Sequence, residues 1–225
     1  MDLFPGLHER LEQLLSAFLA ENEKLNLTAL RTPELSWHGN ILDSMAFQSI
    51  QGKLPKTESL MDVGTGGGFP LLPLALMMPE ARCVGMDSIG KKIAAIQRIV
   101  DTMKIPNVTL IPERAEVLGH DKKHREKYDV VTSRAVAPLN VLLEWVSPFC
   151  KVGGHIVLWK SLNIEQELKD SEKAQRILHC PLLFTQQYTL EKNFGTRQLL
   201  VFRKDDQLVK EYPREIGMAK RSPLL

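Results

Sequence analysis

Leu60 to Pro70 reads LMDVGTGGGFP, and within it Asp62-Val63-Gly64-Thr65-Gly66-Gly67-Gly68 closes a short apolar stretch and leads into a helical one. That junction is where an α/β sheet binds a nucleotide-like ligand. Glycines there allow a tight turn and let the backbone approach a ligand with no side chain between them. The spacing separates two cofactor classes. A dinucleotide fingerprint requires glycine at the sixth position of G-x-G-x-x-G, where Phe69 stands; the match is instead acid-x-G-x-G-x-G over Asp62, Gly64, Gly66 and Gly68. S-adenosylmethionine carries a cationic sulfonium and an amino acid end rather than a pyrophosphate, so an acid beside the loop suits it, and it is the expected cofactor. Asp87 ends the next apolar stretch about 20 residues on, where an acid can accept hydrogen bonds from both ribose hydroxyls. The same placement would suit NAD, so Asp87 by itself leaves a dehydrogenase open.

Outward from the loop, short apolar strands alternate with helical segments, the signature of βαβ units around a parallel sheet. The expected strands are Ser59 to Val63, Arg82 to Asp87, Val108 to Ile111, Tyr128 to Ser133 and His155 to Lys160. The expected helices between them are Leu71 to Met78, Lys91 to Lys104 and Leu139 to Phe149. Phe184 to Leu190 and Gln198 to Arg203, joined through Asn193 and Gly195, read as a β-hairpin. A mainly parallel α/β sheet finished by a C-terminal antiparallel hairpin is the Rossmann-like layout of class I S-adenosylmethionine-dependent methyltransferases. Classical dinucleotide dehydrogenases keep the last strand parallel. Ahead of the sheet, Leu7, Leu11, Leu14, Leu15, Phe18 and Leu19 share one face of an amphipathic helix ending near Leu25. Thr32-Pro33-Glu34 reads as an N-cap, a first-turn proline and a dipole-compensating acid, opening a second helix to about Ile50. Residues 1–55 are thus expected to form a helical N-terminal extension and residues 56–225 the methyltransferase domain.

The chain has 225 residues, 44% of them hydrophobic, enough for a full core. Its net charge of +2 neither demands nor excludes an anionic partner. Cys83, Cys150 and Cys180 are too scattered for a disulfide framework or a closed zinc site, and are expected to be buried thiols. His120 and His124 have helical ligand spacing but sit in a charged loop and are expected to be solvated; no metal is expected. MDLFPGLHER lacks the features of a secretory signal, and the longest apolar run falls short of the ~20 residues that span a bilayer, so a soluble cytoplasmic protein with no membrane partner is expected.

Several segments together resemble the bacterial 16S rRNA (guanine-N7)-methyltransferase family, also called the glucose-inhibited division protein B family. They are Asn22-Glu23-Lys24-Leu25-Asn26-Leu27-Thr28, Ile41-Leu42-Asp43-Ser44, Asp62 to Pro70, Asp87-Ser88-Ile89-Gly90-Lys91-Lys92, Ser133-Arg134-Ala135 and Tyr212-Pro213-Arg214, in that order over nearly the whole chain. The resemblance implies methyl transfer to one guanine of 16S rRNA in the small ribosomal subunit. It implies cofactor contacts at Gly64, Phe69, Ala115, Glu116 and Arg134, beside Asp62, Gly66, Gly68, Asp87 and Ser88 of the loop and the second strand. Asn40 departs from the pattern: the family usually has histidine directly before Ile-Leu-Asp-Ser, and here the nearest is His38. Val152 likewise stands where the family usually has proline before Gly153-Gly154.

Guanine N7 carries an in-ring lone pair and needs no deprotonation before attacking a sulfonium methyl group. No general base is required, no catalytic residue is assigned, and proximity can supply ~7–11 kcal/mol. RNA binding needs cations along a backbone; the candidates are Arg197, Lys204, Arg214, Lys220 and Arg221, with Lys53 and Lys56 ahead of the sheet, while Trp159 and Lys160 are placed to border the acceptor pocket. A monomer is the expected state. Other readings are a methyltransferase with a small-molecule or protein acceptor and a non-catalytic ribosome-associated or cofactor-sensing protein on the same fold.

Overall fold

The computed structural model describes residues 6–134 and 136–225. Residues 1–5, and Ala135 of the Ser-Arg-Ala segment, lie outside the described residues. Helix α1 spans Leu7–Leu25 and buries Leu7, Leu11, Leu14 and Phe18, the 3.6-residue stripe of its sequence. It ends at Asn26, whose φ of 49° is left-handed. The Asn22 side chain then accepts from Thr28 N at 2.8 Å, folding the Asn-Leu-Thr segment back on the helix.

The second expected helix is interrupted. Thr32 caps it as read, its hydroxyl accepting from Leu35 N, but α2 covers only Pro33–Ser36. A π-helical stretch follows over Trp37–Leu42, then the short pieces α3 (Asp43–Met45) and α4 (Gln48–Gln51). The widened turn falls at Gly39, where a Cβ would lie 2.4 Å from Leu30 Cδ1 and 2.5 Å from Phe194 Cε1. No larger residue fits without displacing both.

Next come β1 (Ser59–Val63), α5 (Leu71–Met77), β2 (Arg82–Met86), α6 (Gly90–Met103), β3 (Val108–Ile111) and α7 (Ala115–Leu118). They are followed by β4 (Tyr128–Arg134), α8 (Leu139–Val146), β5 (Cys150–Ser161), α9 (Glu165–Asp170) and α10 (Glu172–Ile177). The hairpin β6 (Leu182–Leu190) and β7 (Gly195–Arg203) and the terminal α11 (Met218–Arg221) complete the chain. The seven strands form one sheet in the order β3-β2-β1-β4-β5-β7-β6. β1 to β5 are parallel, while β7 runs antiparallel to both β5 and β6. Chain direction across the sheet reverses between β1 and β4, which opens a crevice at their carboxyl ends.

Alternation along the strands builds two cores. Leu60, Cys83, Val130, Val157 and Val201 face α1, α5 and α6, whereas Met61, Val63, Val84, Val131, Ile156 and Phe202 face α8 and α10. Helix α1 therefore shares the sheet's own core. Glu21 on α1 receives the Arg98 guanidinium of α6 at 3.0 and 2.6 Å and Lys24 at 2.8 Å, and these cations hold its carboxyl down at about 2. All three cysteines are buried and free, and burial pushes the Cys83 and Cys180 thiols up to about 12.

Candidate cofactor and acceptor site

The glycine loop is tied to the sheet by its backbone. Gly64 N and Thr65 N both donate to Met86 O at 2.9 Å, which clamps the loop over the end of β2. Asp87 adds a second clamp: one carboxylate oxygen accepts from Gly66 N at 3.0 Å and the other from Ile89 N at 2.9 Å. Gly64, Gly66 and Gly68 have φ of 73°, 56° and 90°, conformations that only glycine adopts without strain.

Over this loop opens a cavity of about 410 Å³, lined by Gly64, Gly66, Asp87, Ser88, Ala115, Glu116 and Arg134 among others. Seven residues read from the sequence as cofactor contacts thus line one cavity. A Cβ on Gly66 would find only Gly64 O within 4 Å, at 3.8 Å, so the space above it is open although the residue sits on the cavity floor. That is the cradle S-adenosylmethionine requires, and a lining that mixes carboxylates (Asp87, Glu113, Glu116) with cations (Lys92, Arg114, Arg134, Lys220) suits its polar ends.

Three other expected contacts lie beneath the wall. Asp62 is fully buried and accepts from Thr132 Oγ1 at 2.8 Å; its second oxygen has no hydrogen-bond partner among the described residues. Burial pushes its carboxyl up to about 6, against the pull of the Thr132 hydrogen bond. Gly68 faces the core, where a Cβ would lie 2.8 Å from Leu72 Cδ1. Phe69 packs edge-on against Phe18 at 4.8 Å, with the Arg134 guanidinium 5.8 Å from its ring centre. These residues shape the loop from below rather than lining the cavity.

The family model for rRNA small subunit methyltransferase G matches residues 7–198. The chain belongs to that family. The protein named ribosomal RNA small subunit methyltransferase G from Carboxydothermus hydrogenoformans is 40% identical over 97% of this chain and 91% of its own length. Its namesake from Staphylococcus saprophyticus is 36% identical over 91% of this chain and 84% of its own. Among solved structures, an O-methyltransferase from Bacillus cereus in complex with SAH superposes with a TM-score of 0.59 at 16% identity, covering 85% of this chain and 90% of that one. A 16S rRNA (adenine(1408)-N(1))-methyltransferase from Catenulisporales acidiphilia does so at 0.52 and 17% identity, covering 74% and 93%. At such identities the structures establish the class I methyltransferase fold.

Beyond Arg134 lies a second set of residues that sequence reading quoted only in part. Asp43 is fully buried, and its carboxylate accepts from Arg134 NH1 at 2.7 Å and from Tyr188 Oη at 2.6 Å, with Arg197 NH1 at 3.2 Å. The buried indole of Trp159 donates to Asp43 O at 2.7 Å. Arg134 also donates to Gly39 O at 2.8 Å and to Asn40 Oδ1 at 3.0 Å, so Asn40, the departure from the family pattern, orients the guanidinium. His38 lies over the Phe194 ring at 6.5 Å, nearly parallel to it, and Arg197 sits 5.7 Å from the same ring. Burial, and then the negative charge of the adjacent Asp43 carboxylate, push the Tyr188 phenol well above its usual range.

The basic residues expected to face RNA are dispersed. Lys204 is fully buried and donates to Leu178 O, which removes it from any surface. Arg214 is bound to Glu144, its NH2 2.6 Å from the carboxylate. Lys220 is exposed at the rim of the cavity, and Arg221 is exposed. Arg197 joins the Asp43 cluster; Lys53 donates to Gln186, and Lys56 stays exposed beside Glu58. Lys160 is held by Ala137 O and Glu167. Of the two loop histidines, His120 is exposed as expected, with Nε2 2.8 Å from Pro213 O, while His124 is half-buried, with Nδ1 2.6 Å from Tyr128 Oη. Among the described residues no group of three or more His, Cys, Asp or Glu is placed to hold a metal ion, and no helix is long and apolar enough to cross a membrane.

Proposed function

We propose that the chain methylates N7 of one guanine in the 16S rRNA of the small ribosomal subunit, acting as a cytoplasmic monomer. S-adenosylmethionine supplies the methyl group from its cationic sulfonium. The observation that carries the reading is the open cradle above Gly66 at the switch point of the sheet, in a chain of this family.

Gly64 and Gly66 present backbone to the cofactor, Asp87 holds the loop and keeps carboxylate at the cavity wall, and Ala115 and Glu116 border its far end. Arg134 stands between this cavity and the Asp43 cluster, its guanidinium fixed by three acceptors. The acceptor base enters on that side, where the half-buried Phe194 and His38 rings offer a stacking surface and Arg197 a cation. Since N7 needs no deprotonation, these residues act by aligning the base with the methyl donor.

The test is incubation with labelled S-adenosylmethionine and small subunits, or 16S rRNA, from a strain lacking the gene, followed by mapping of the modified base. Label at the N7 position of a single guanine is expected. RNA that stays unlabelled in both substrates overturns the assignment.

A further inference from the structure

The charges around the mouth of the cofactor cavity are held differently by sign. The carboxylates are engaged by backbone amides: Asp87 by Gly66 N and Ile89 N, Glu113 by Arg114 N at 2.8 Å, and Glu116 by Gly217 N at 3.1 Å. The cations Lys92, Arg114 and Lys220 line the same cavity, Arg114 and Lys220 exposed and Lys92 half-buried. Among the described residues none of these three side chains is in an ion pair or a hydrogen bond; the Lys220 ammonium only lies over Trp145, 5.2 Å from its ring centre. Lys92 stands in the first turn of α6, Arg114 just ahead of α7 and Lys220 on α11, so three separate elements bring them to one opening. Lys91 and Arg221, their sequence neighbours, are exposed as well.

The cofactor does not account for these cations. S-adenosylmethionine carries a sulfonium, an ammonium and one carboxylate, a net positive charge, so unpaired cations at its entrance repel it on balance. The cavity's own acids do not account for them either, being engaged by amides. Unpaired cations gathered around one opening fit a polyanion lying across it, and a nucleic acid backbone presents phosphates at regular intervals. Sheet order adds the direction. Lys92 and Arg114 follow β2 and β3, on one flank of β1, while Arg134 ends β4, on the other. An RNA whose target base enters beside Arg134 therefore carries its neighbouring phosphates over the opening.

We propose that the rRNA backbone adjoining the target guanine crosses the mouth of the cofactor cavity on Lys92, Arg114 and Lys220 and closes the cofactor in. This rests on the rRNA reading of the site. It makes S-adenosylmethionine the first to bind and S-adenosylhomocysteine the last to leave, because bound RNA covers their route to solvent.

The experiment compares two variants of equal charge. One combines Lys92→Gln, Arg114→Gln and Lys220→Gln; the control combines Lys122→Gln, Lys123→Gln and Lys127→Gln, exposed in the loop ahead of β4 at the opposite end of the sheet. Binding is followed over about 50–200 mM salt to whichever of 16S rRNA and small subunits the unsubstituted protein methylates. The rim variant loses roughly 10- to 30-fold in RNA affinity, and its plot of log affinity against log salt is shallower by about 2. The control keeps its RNA affinity within about twofold, and the rim variant keeps its affinity for S-adenosylhomocysteine, measured by calorimetry, within the same margin. Saturating RNA slows release of labelled S-adenosylhomocysteine from the unsubstituted protein roughly tenfold. Equal losses of RNA affinity in the two variants overturn the proposal, as does release that RNA leaves unchanged. A loss of S-adenosylhomocysteine affinity in the rim variant assigns the cations to the cofactor and overturns it too. Failure of the unsubstituted protein to label either RNA substrate overturns the rRNA reading, and this surface with it.

Discussion

The two halves of the crevice are built by different means. On the cofactor half, Gly64, Thr65 and Gly66 are held by backbone amides on Met86 O and the Asp87 carboxylate, all within two neighbouring βα turns. On the side proposed for the acceptor base, a single buried carboxylate, Asp43, collects Arg134, Tyr188 and Arg197 from three other parts of the chain. The first half depends on conformations that glycine alone adopts easily; the second depends on charge and side-chain reach. Substitutions should therefore fail differently: the loop through loss of binding space, the cluster through loss of stability.

The largest effect expected is at the loop. Gly66→Arg fills the space over the cavity floor and forces a non-glycine residue to φ 56°, so affinity for S-adenosylhomocysteine measured by calorimetry drops at least about 100-fold. Binding retained within tenfold would mean the cradle serves another ligand. Next comes Asp43→Ala, which leaves two guanidiniums and a phenol around an empty position and costs about 3 kcal/mol in urea unfolding, with the loop's own geometry untouched. A cost under about 1 kcal/mol would show that the cluster is solvated and that the contrast between the halves fails.

The smallest effect comes from beneath the loop and has the opposite sign. Asp62 titrates near 6 in the folded protein against 3.8 for an ordinary aspartate. Between about pH 4 and 6 the native state keeps a proton that the unfolded chain has released, so stability falls as pH rises through that window and the full penalty persists above it. Asp62→Asn should flatten this slope and stabilise the protein at pH 8 by on the order of 2 kcal/mol. Urea unfolding at a series of pH values checks it, and a variant with the same slope as the parent would place the titration elsewhere.

The same contrast governs what was legible in the sequence. Ser59–Val63 and Val108–Ile111 form strands with the bounds read for them, and the Leu71 and Lys91 helices shift by one residue at most at either end. The apolar period of each is a local property. The helix from Thr32 to Ile50 was legible at its cap and not in its interior, because the π-helical turn at Gly39 answers to Phe194, a residue far along the chain. The short helices α7 and α9 to α11 were missed, since four to six residues carry too little period to show.

Sequence by itself determined the loop, the acid Asp87 after the next strand, a mainly parallel sheet and the closing hairpin, because turns and periodicities are set by neighbouring residues. Only the tertiary structure decided that Asp62, Gly68 and Phe69 lie under the cavity wall, that Lys204 is buried and Arg214 spent on Glu144, and that Asp43 joins two arginines. A basic residue's partner depends on which distant carboxylate the fold brings within about 4 Å, and no local pattern encodes that distance.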